Sequence, residues 1–229
     1  MKKIGIIGGL GPESTIDYYK RLIEALRSAG SLAAPEIIIY SVDIEEVLGL
    51  VARQEWDLLV ALLVARVEAL HRAGADFAAI SANTPHIVFD RVQAQAPIPL
   101  VSIVTATLDA ARAAGLRRVG LLGTLFTMQA NFFAPPFAEQ GISVVVPAAA
   151  DQGYIHEKLM SEIELGIIRD ETRGGLLAII GRMAAREGID GVILGCTELP
   201  LILEQNPSGI PLLNTTAIHV KGIVDYARG

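Results

Sequence analysis

The stretch Gly191 to Pro200, GVILGCTELP, carries Cys196, the one cysteine of the chain. A free cysteine has two ordinary uses: as a small apolar residue in a core, or as a thiol that attacks or moves a proton. Its position favours chemistry. Cys196 follows a β-branched run and a glycine, and precedes Thr197-Glu198 where a helix is expected to begin. A helix N-terminus lowers a thiol's pKa below its usual ~8.5, so the reading predicts a reactive thiolate or a thiol poised for proton transfer. Glu198 either orients the thiol or caps the helix. No histidine adjoins the cysteine in sequence, and His86 comes from a facing segment, ANTPH. The histidines at 71, 156 and 219 fall in expected helices without metal-site spacing and read as structural or solvated, so no metal is expected.

Other strand-end segments supply uncharged donors. Gly8-Gly9-Leu10-Gly11-Pro12 follows the first apolar run, but Ser14 occupies the place of the third glycine in the dinucleotide fingerprint. What remains is a glycine turn entering a helix whose first backbone N–H groups, at Glu13, Ser14 and Thr15, suit a carboxylate or an ordinary cap equally well. Asn83, Thr84, Thr124, Thr127 and Thr197 add amide and hydroxyl groups of the kind that hold small carboxylates, although each alone is also a common cap or turn residue.

The elements needed to position these groups are short β-branched runs alternating with longer amphipathic stretches, the pattern of an α/β chain with parallel sheets covered by helices. Strands are expected at Ile4 to Ile7, Glu36 to Val42, Phe77 to Ser81, Leu100 to Val104, Val119 to Leu122, Ser143 to Pro147, Gly191 to Leu194 and Pro211 to Leu213. Helices are expected at Glu13 to Ala29, Asp57 to Ala73, Glu171 to Glu187 and Thr216 to Ala227.

An internal repeat organises these elements. KIGIIGGLGP from Lys3 lies over RVGLLGTLFT from Arg118, GADFAAISANTPH from Gly74 over GIDGVILGCTELP from Gly188, and Ile98-Pro99-Leu100 over Ile210-Pro211-Leu212. Three collinear matches at a nearly constant offset point to a duplicated unit. The expected domains are residues 1–100 plus 208–229 and residues 101–207. Because ligands in open α/β sheets bind outside the carboxyl ends of the strands, the pocket is expected in the cleft between the two halves. In this alignment Cys196 falls on Ala82, so the frame is symmetric and the chemistry is not.

Length and charge exclude several classes. A chain of 229 residues with 52% hydrophobic content can bury a real core. Its net charge of −6, without clustered Lys and Arg, argues against nucleic acid and anionic membranes as partners. The longest apolar run, Leu58 to Ala65, is far short of the ~20 residues of a membrane span. The opening MKKIGIIGG reads as a strand and not as a secretory leader, since acidic and polar residues follow at once. One cysteine forbids a disulfide within the chain and suits a cytoplasmic location.

Together GGLGPEST, ANTPH, LLGTLFTM and ILGCTELP resemble the aspartate/glutamate racemase family over essentially the whole chain. The resemblance implies two pseudo-symmetric α/β domains, a homodimer, and racemisation of an acidic amino acid in the interdomain cleft without pyridoxal phosphate or metal. It implies a two-base mechanism, in which one residue removes the α-proton and another returns a proton to the opposite face. In the common family pattern both bases are cysteines, in C-N-T and G-C-T. Here G-C-T is intact as Gly195-Cys196-Thr197, whereas C-N-T has become Ala82-Asn83-Thr84. The missing role then falls to Ser81, His86 or a bound water. By position Leu10, Asn83, Thr84, Thr124, Thr127, Thr197 and Glu198 would contact the substrate, with Arg53 and Arg169 as clamps for its side-chain carboxylate. A single-cysteine decarboxylase or isomerase of a small dicarboxylate, and a carboxylate-binding protein without turnover, are the competing readings.

Overall fold

The computed structural model describes residues 1–27 and 34–229, which divide into two compact units, Met1–Ile103 with Thr216–Gly229, and Val104–Thr215. In the first unit four parallel strands, β1 (Ile4–Gly8), β2 (Ile37–Ser41), β3 (Phe77–Ile80) and β4 (Leu100–Val101), stand in the order β2-β1-β3-β4. Its helices are α1 (Pro12–Leu26), α2 (Ile44–Ala52), α3 (Trp56–Arg72) and α4 (Phe89–Gln93), with a 3-10 turn at Thr84–Val88. The end of the first expected helix, at Ala29, lies outside the described residues.

In the second unit β5 (Arg118–Leu122), β6 (Ser143–Val145), β7 (Gly191–Leu194) and β8 (Leu212–Asn214) are also all parallel, in the order β6-β5-β7-β8. Around them run α5 (Ile103–Ala113), α6 (Leu125–Gln129), α7 (Ala134–Glu139), α8 (Ala149–Ser161), a 3-10 turn at Ile163–Leu165, α9 (Asp170–Glu187) and α10 (Leu199–Ile202). The last helix, α11 (Thr215–Arg228), returns the chain to the first unit.

The duplicated plan read from the repeat is therefore present as two sheets of matching strand order. It extends to register: Gly5 pairs with Ala78 between β1 and β3, and their counterparts Gly120 and Val192 pair between β5 and β7. These strands are continuous apolar runs buried on both faces, as parallel strands covered by helices must be. In the first unit Ile4, Ile6 and Phe77 pack with Tyr18 and Leu22 of α1 and Ile223 and Val224 of α11. In the second, Val192 and Leu194 pack with Ile155 and Leu159 of α8 and Leu176, Ile179 and Ile180 of α9, and Cys196 belongs to the same cluster.

Two expectations change, and one helix is added. The expected strand Leu100 to Val104 stops at Val101, because β4 makes only two ladder pairs and the Ile103 amide, which opens α5, donates instead to His86 Nε2 at 3.1 Å. The segment 208–215, placed with the first domain, runs with the second unit, since β8 pairs with β7; residues 101–103 run with the first. Helix α2 was readable but not read. Asp43 is its N-cap, accepts from the Glu45 amide at 2.8 Å, and stands three residues before Glu46 in a capping-box pattern. Among the described residues no helix is long and apolar enough to cross a membrane.

Candidate active site

Glycines set the position of the thiol. The Gly195 amide donates to Leu122 O at 2.7 Å, and a Cβ at Gly195 would stand 2.9 Å from Leu121 Cδ1 and 3.0 Å from Leu122 O. Only a residue without a side chain lets β5 and the end of β7 approach so closely. Cys196 follows directly and is 7% exposed. Its Sγ donates to Glu198 Oε2 at 3.0 Å and lies 3.5 Å from Glu164 Oε1. Thr197 Oγ1 donates to the same Glu198 oxygen at 2.7 Å. Glu198 therefore orients the thiol; it stands at the N-cap position of α10 but makes no side-chain cap.

These neighbours reverse the expected electrostatics. Helix α10 has four residues, too few to build a dipole that favours a thiolate. Burial, followed by the charges of Glu198 and Glu164, pushes the Cys196 thiol well above its ordinary pKa. Of the two forms expected from sequence, this favours the thiol poised for proton transfer over the thiolate. Glu164, in the 3-10 turn after α8, is raised to about 7, first by desolvation of its carboxyl end and then by the charge of Glu198. Its side chain is otherwise exposed, so the turn links the buried thiol to solvent. Sequence reasoning missed Glu164, which sits 32 residues before the thiol with no motif around it.

The threonines of the second unit have local duties. Thr124 is the N-cap of α6, its Oγ1 accepting from the Thr127 amide at 3.3 Å and lying 3.1 Å from Thr127 Oγ1. Thr127 is fully buried and Thr124 half-buried, so of this pair only the cap residue retains access to solvent. The backbone N–H of Leu125 donates to His156 Nδ1 at 3.4 Å, which fits the structural reading of that histidine.

In the first unit the residues proposed to replace the missing cysteine are held by the fold. Ser81 is completely buried, and its Oγ donates to Ile7 O at 3.1 Å and lies 3.4 Å from Thr15 Oγ1. Ser14 Oγ donates to Ser81 O, and Thr15 Oγ1 accepts from the Gly9 amide at 2.9 Å. These bonds tie the glycine turn to the end of β3. Gly9 has φ of +82°, and a Cβ there would meet Val42 O at 2.3 Å. Leu10, half-buried, rides on this turn.

His86 accepts from the Ile103 amide at Nε2, which leaves the proton on Nδ1 to donate to Ala82 O at 2.9 Å. Burial, then the neighbouring His219, lowers its pKa to about 3. A neutral ring with both nitrogens engaged by backbone is a brace, and Ser81 Oγ is likewise engaged by the backbone carbonyl of Ile7. His219 is a similar brace: Nε2 donates to Val101 O at 2.9 Å and Nδ1 accepts from Tyr18 at 2.9 Å. Ala82 and Asn83 are buried beside them, with Thr84 half-buried.

Both expected arginine clamps are exposed. Arg53 is exposed at the end of α2 and paired with Glu55 at 2.8 Å. Arg169 is exposed immediately before α9 and makes no cap bond.

The two parallel sheets of matching order are shared with known proteins. The Asp/Glu/Hydantoin racemase family matches residues 7–223, and the chain belongs to that family of racemase-type enzymes. Among solved structures it is similar to a candidate Asp/Glu racemase from Yersinia pestis (35% identity, TM-score 0.93) and an aspartate racemase homologue from Pyrococcus horikoshii OT3 (38% identity, TM-score 0.89), each covering 100% of both chains. It is also 24% identical to the broad specificity amino-acid racemase RacX of Bacillus subtilis, over 96% of each chain.

Proposed function

We propose that the protein racemises an acidic α-amino acid without a cofactor, using Cys196 as its acid/base. The observation that carries this reading is the thiol held between Glu198 and Glu164, two carboxylates with no Lys, Arg or His within ion-pair distance among the described residues. A substrate ammonium group supplies the counter-charge such a pair lacks, which favours an amino acid over a simple dicarboxylate.

The geometry supports one route for the proton. Glu198 and Glu164 are the acceptors beside the thiol; transfer of the thiol proton to a carboxylate leaves a thiolate that takes the substrate's α-proton. Glu164, exposed and titrating near neutrality, exchanges that proton with solvent. Return of the thiol proton to the same face restores the starting enantiomer. Inversion needs a proton from the other face, and at the counterpart of Cys196 stands Ala82, so water delivers it slowly. The proposed contacts to the substrate's carboxylates are the strand-end residues Leu10, Asn83, Thr84, Thr124 and Thr197. The homodimer and the cytoplasmic location implied by the resemblance and the composition belong to the same proposal.

A second reading rests on Ala82: one thiol suffices for a decarboxylase or isomerase of a small dicarboxylate. Incubating the protein separately with each enantiomer of aspartate and glutamate, and with substituted malonates, separates the two by chiral chromatography and carbon dioxide release. Interconversion of an amino-acid pair is the expected result. Decarboxylation or isomerisation of a dicarboxylate alone would support the second reading, and binding without turnover of any of them would leave a carboxylate-binding protein.

A further inference from the structure

We propose that β2 is the docking edge for a second copy of this chain, pairing antiparallel with its own counterpart about a twofold axis at Ile39. The homodimer is already part of the proposed function, on which this surface rests. An open strand edge is a row of unpaired N–H and C=O groups, and proteins ordinarily guard it with short strands, charges or proline. Three of the four sheet edges are short: β4 has two residues, and β6 and β8 have three each. The fourth, β2, runs for five, Ile-Ile-Ile-Tyr-Ser, with no charge or proline and with β1 as its one strand partner among the described residues.

The helix beside this edge extends its apolar surface. Arg21, Glu24 and Ala25 turn one flank of α1 toward α11, across a groove they line with Val220 and Lys221. Ile16 and Tyr19, three apart on the helix, share the opposite flank and are exposed. That flank lies toward β2, since a Cβ on Gly8 would touch both Thr15 of α1 and Ile39. Ile39 is itself 40% exposed.

The other face of β2 carries the charge that selects the partner. Arg66 of α3 lies over the Tyr40 ring, 5.0 Å from its centroid. Among the described residues its guanidinium has no carboxylate within ion-pair distance, and its Nε is buried without a hydrogen bond. With Ile39 on the axis, Ile38 of one copy stands opposite Tyr40 of the other, and Glu36 falls on the same face two residues further along. Glu36 pairs with Lys3 at 2.9 Å, yet its side chain stays 70% exposed and has room for a second cation. The axis thus brings Arg66 a carboxylate, and does so twice, as a self-complementary interface requires.

Light scattering on the size-fractionated full chain reads the outcome as a mass. The wild type should have twice the chain mass at micromolar concentration. Ile39→Lys, which sets two like charges against each other on the axis, should weaken the dimer at least about tenfold. Arg66→Glu should do the same, and Arg66→Glu combined with Glu36→Arg should restore the dimer, which separates a lost contact from a damaged fold. Val146→Lys, an exposed change just past the edge strand of the second unit, should leave the mass unchanged. A dimer indifferent to Ile39→Lys and Arg66→Glu, no recovery in the double variant, or equal loss in Val146→Lys would overturn the proposed surface while leaving the homodimer in place. A monomeric wild type would overturn both, and a dimer inactive on every amino acid would count against the racemase reading alone.

Discussion

The ends of β3 and β7 occupy equivalent places in the two sheets, yet their side chains meet different partners. After β3, Ser81 donates to Ile7 O and His86 is fixed between Ala82 O and the Ile103 amide. After β7, Cys196 meets the carboxylates of Glu198 and Glu164. A backbone partner saturates a polar group and makes it part of the frame, whereas a titratable partner gives it somewhere to send a proton. Duplication of a fold thus yields two strand ends of one geometry, and the chemistry of each depends on what its neighbours can accept.

The contrast is broken most completely by Cys196→Ala. Loss of a general acid/base costs about 10²–10⁴ in rate, so α-proton exchange should fall by at least about 100-fold. The melting temperature should change little, since a methyl group replaces a small buried thiol. Unchanged exchange would remove Cys196 from the chemistry.

Ala82→Cys tests the other strand end. A thiol there should raise the inversion rate about tenfold or more and make it less dependent on the starting enantiomer. Position 82 is 8% exposed, and an added sulfur at such a site costs ~1–3 kcal/mol if it overpacks. A variant as stable as the wild type with unchanged inversion would show that this position does not serve the reacting carbon.

The smallest change is Glu164→Gln. With Glu164 raised to about 7, its carboxylate is free to receive a proton above that pH and already occupied below it. Exchange should therefore rise with pH through about 7 in the wild type. In the variant it should be several-fold slower and lack this rise, as a pH–rate profile will show. A profile identical to that of the wild type would assign proton release to Glu198 alone.

Much of the frame was legible because its signals are local. The span of β7 was predicted residue for residue, and the duplication followed from matching glycines in two segments. Cys196 stood out because it is single and lies just past a strand. Glu164 did not, because nothing local marks an acid in a short 3-10 turn that the fold brings to a sulfur 32 residues away. The direction of the thiol's pKa shift was hidden for the same reason: the expected helix dipole is a local inference, and the opposing carboxylates are a tertiary fact. His86 looked available as a base because sequence cannot show that its second nitrogen meets an amide 17 residues on. Thr124 and Thr127 carried the spacing of a cap as plainly as that of a binding site, and the structure uses them as a cap.

Whether Cys196 works from one face only is decided by following the α-hydrogen in deuterated water. Each enantiomer of aspartate and glutamate is incubated with the wild-type protein, and deuterium incorporation and inversion are measured in the same sample. One enantiomer should gain deuterium with retained configuration faster than it inverts, because Cys196 and its carboxylates exchange the proton on one face and the chain holds no second cysteine. Equal rates of exchange and inversion from both enantiomers would mean that two competent bases flank the α-carbon, and would contradict the assignment of Cys196 as the single acid/base.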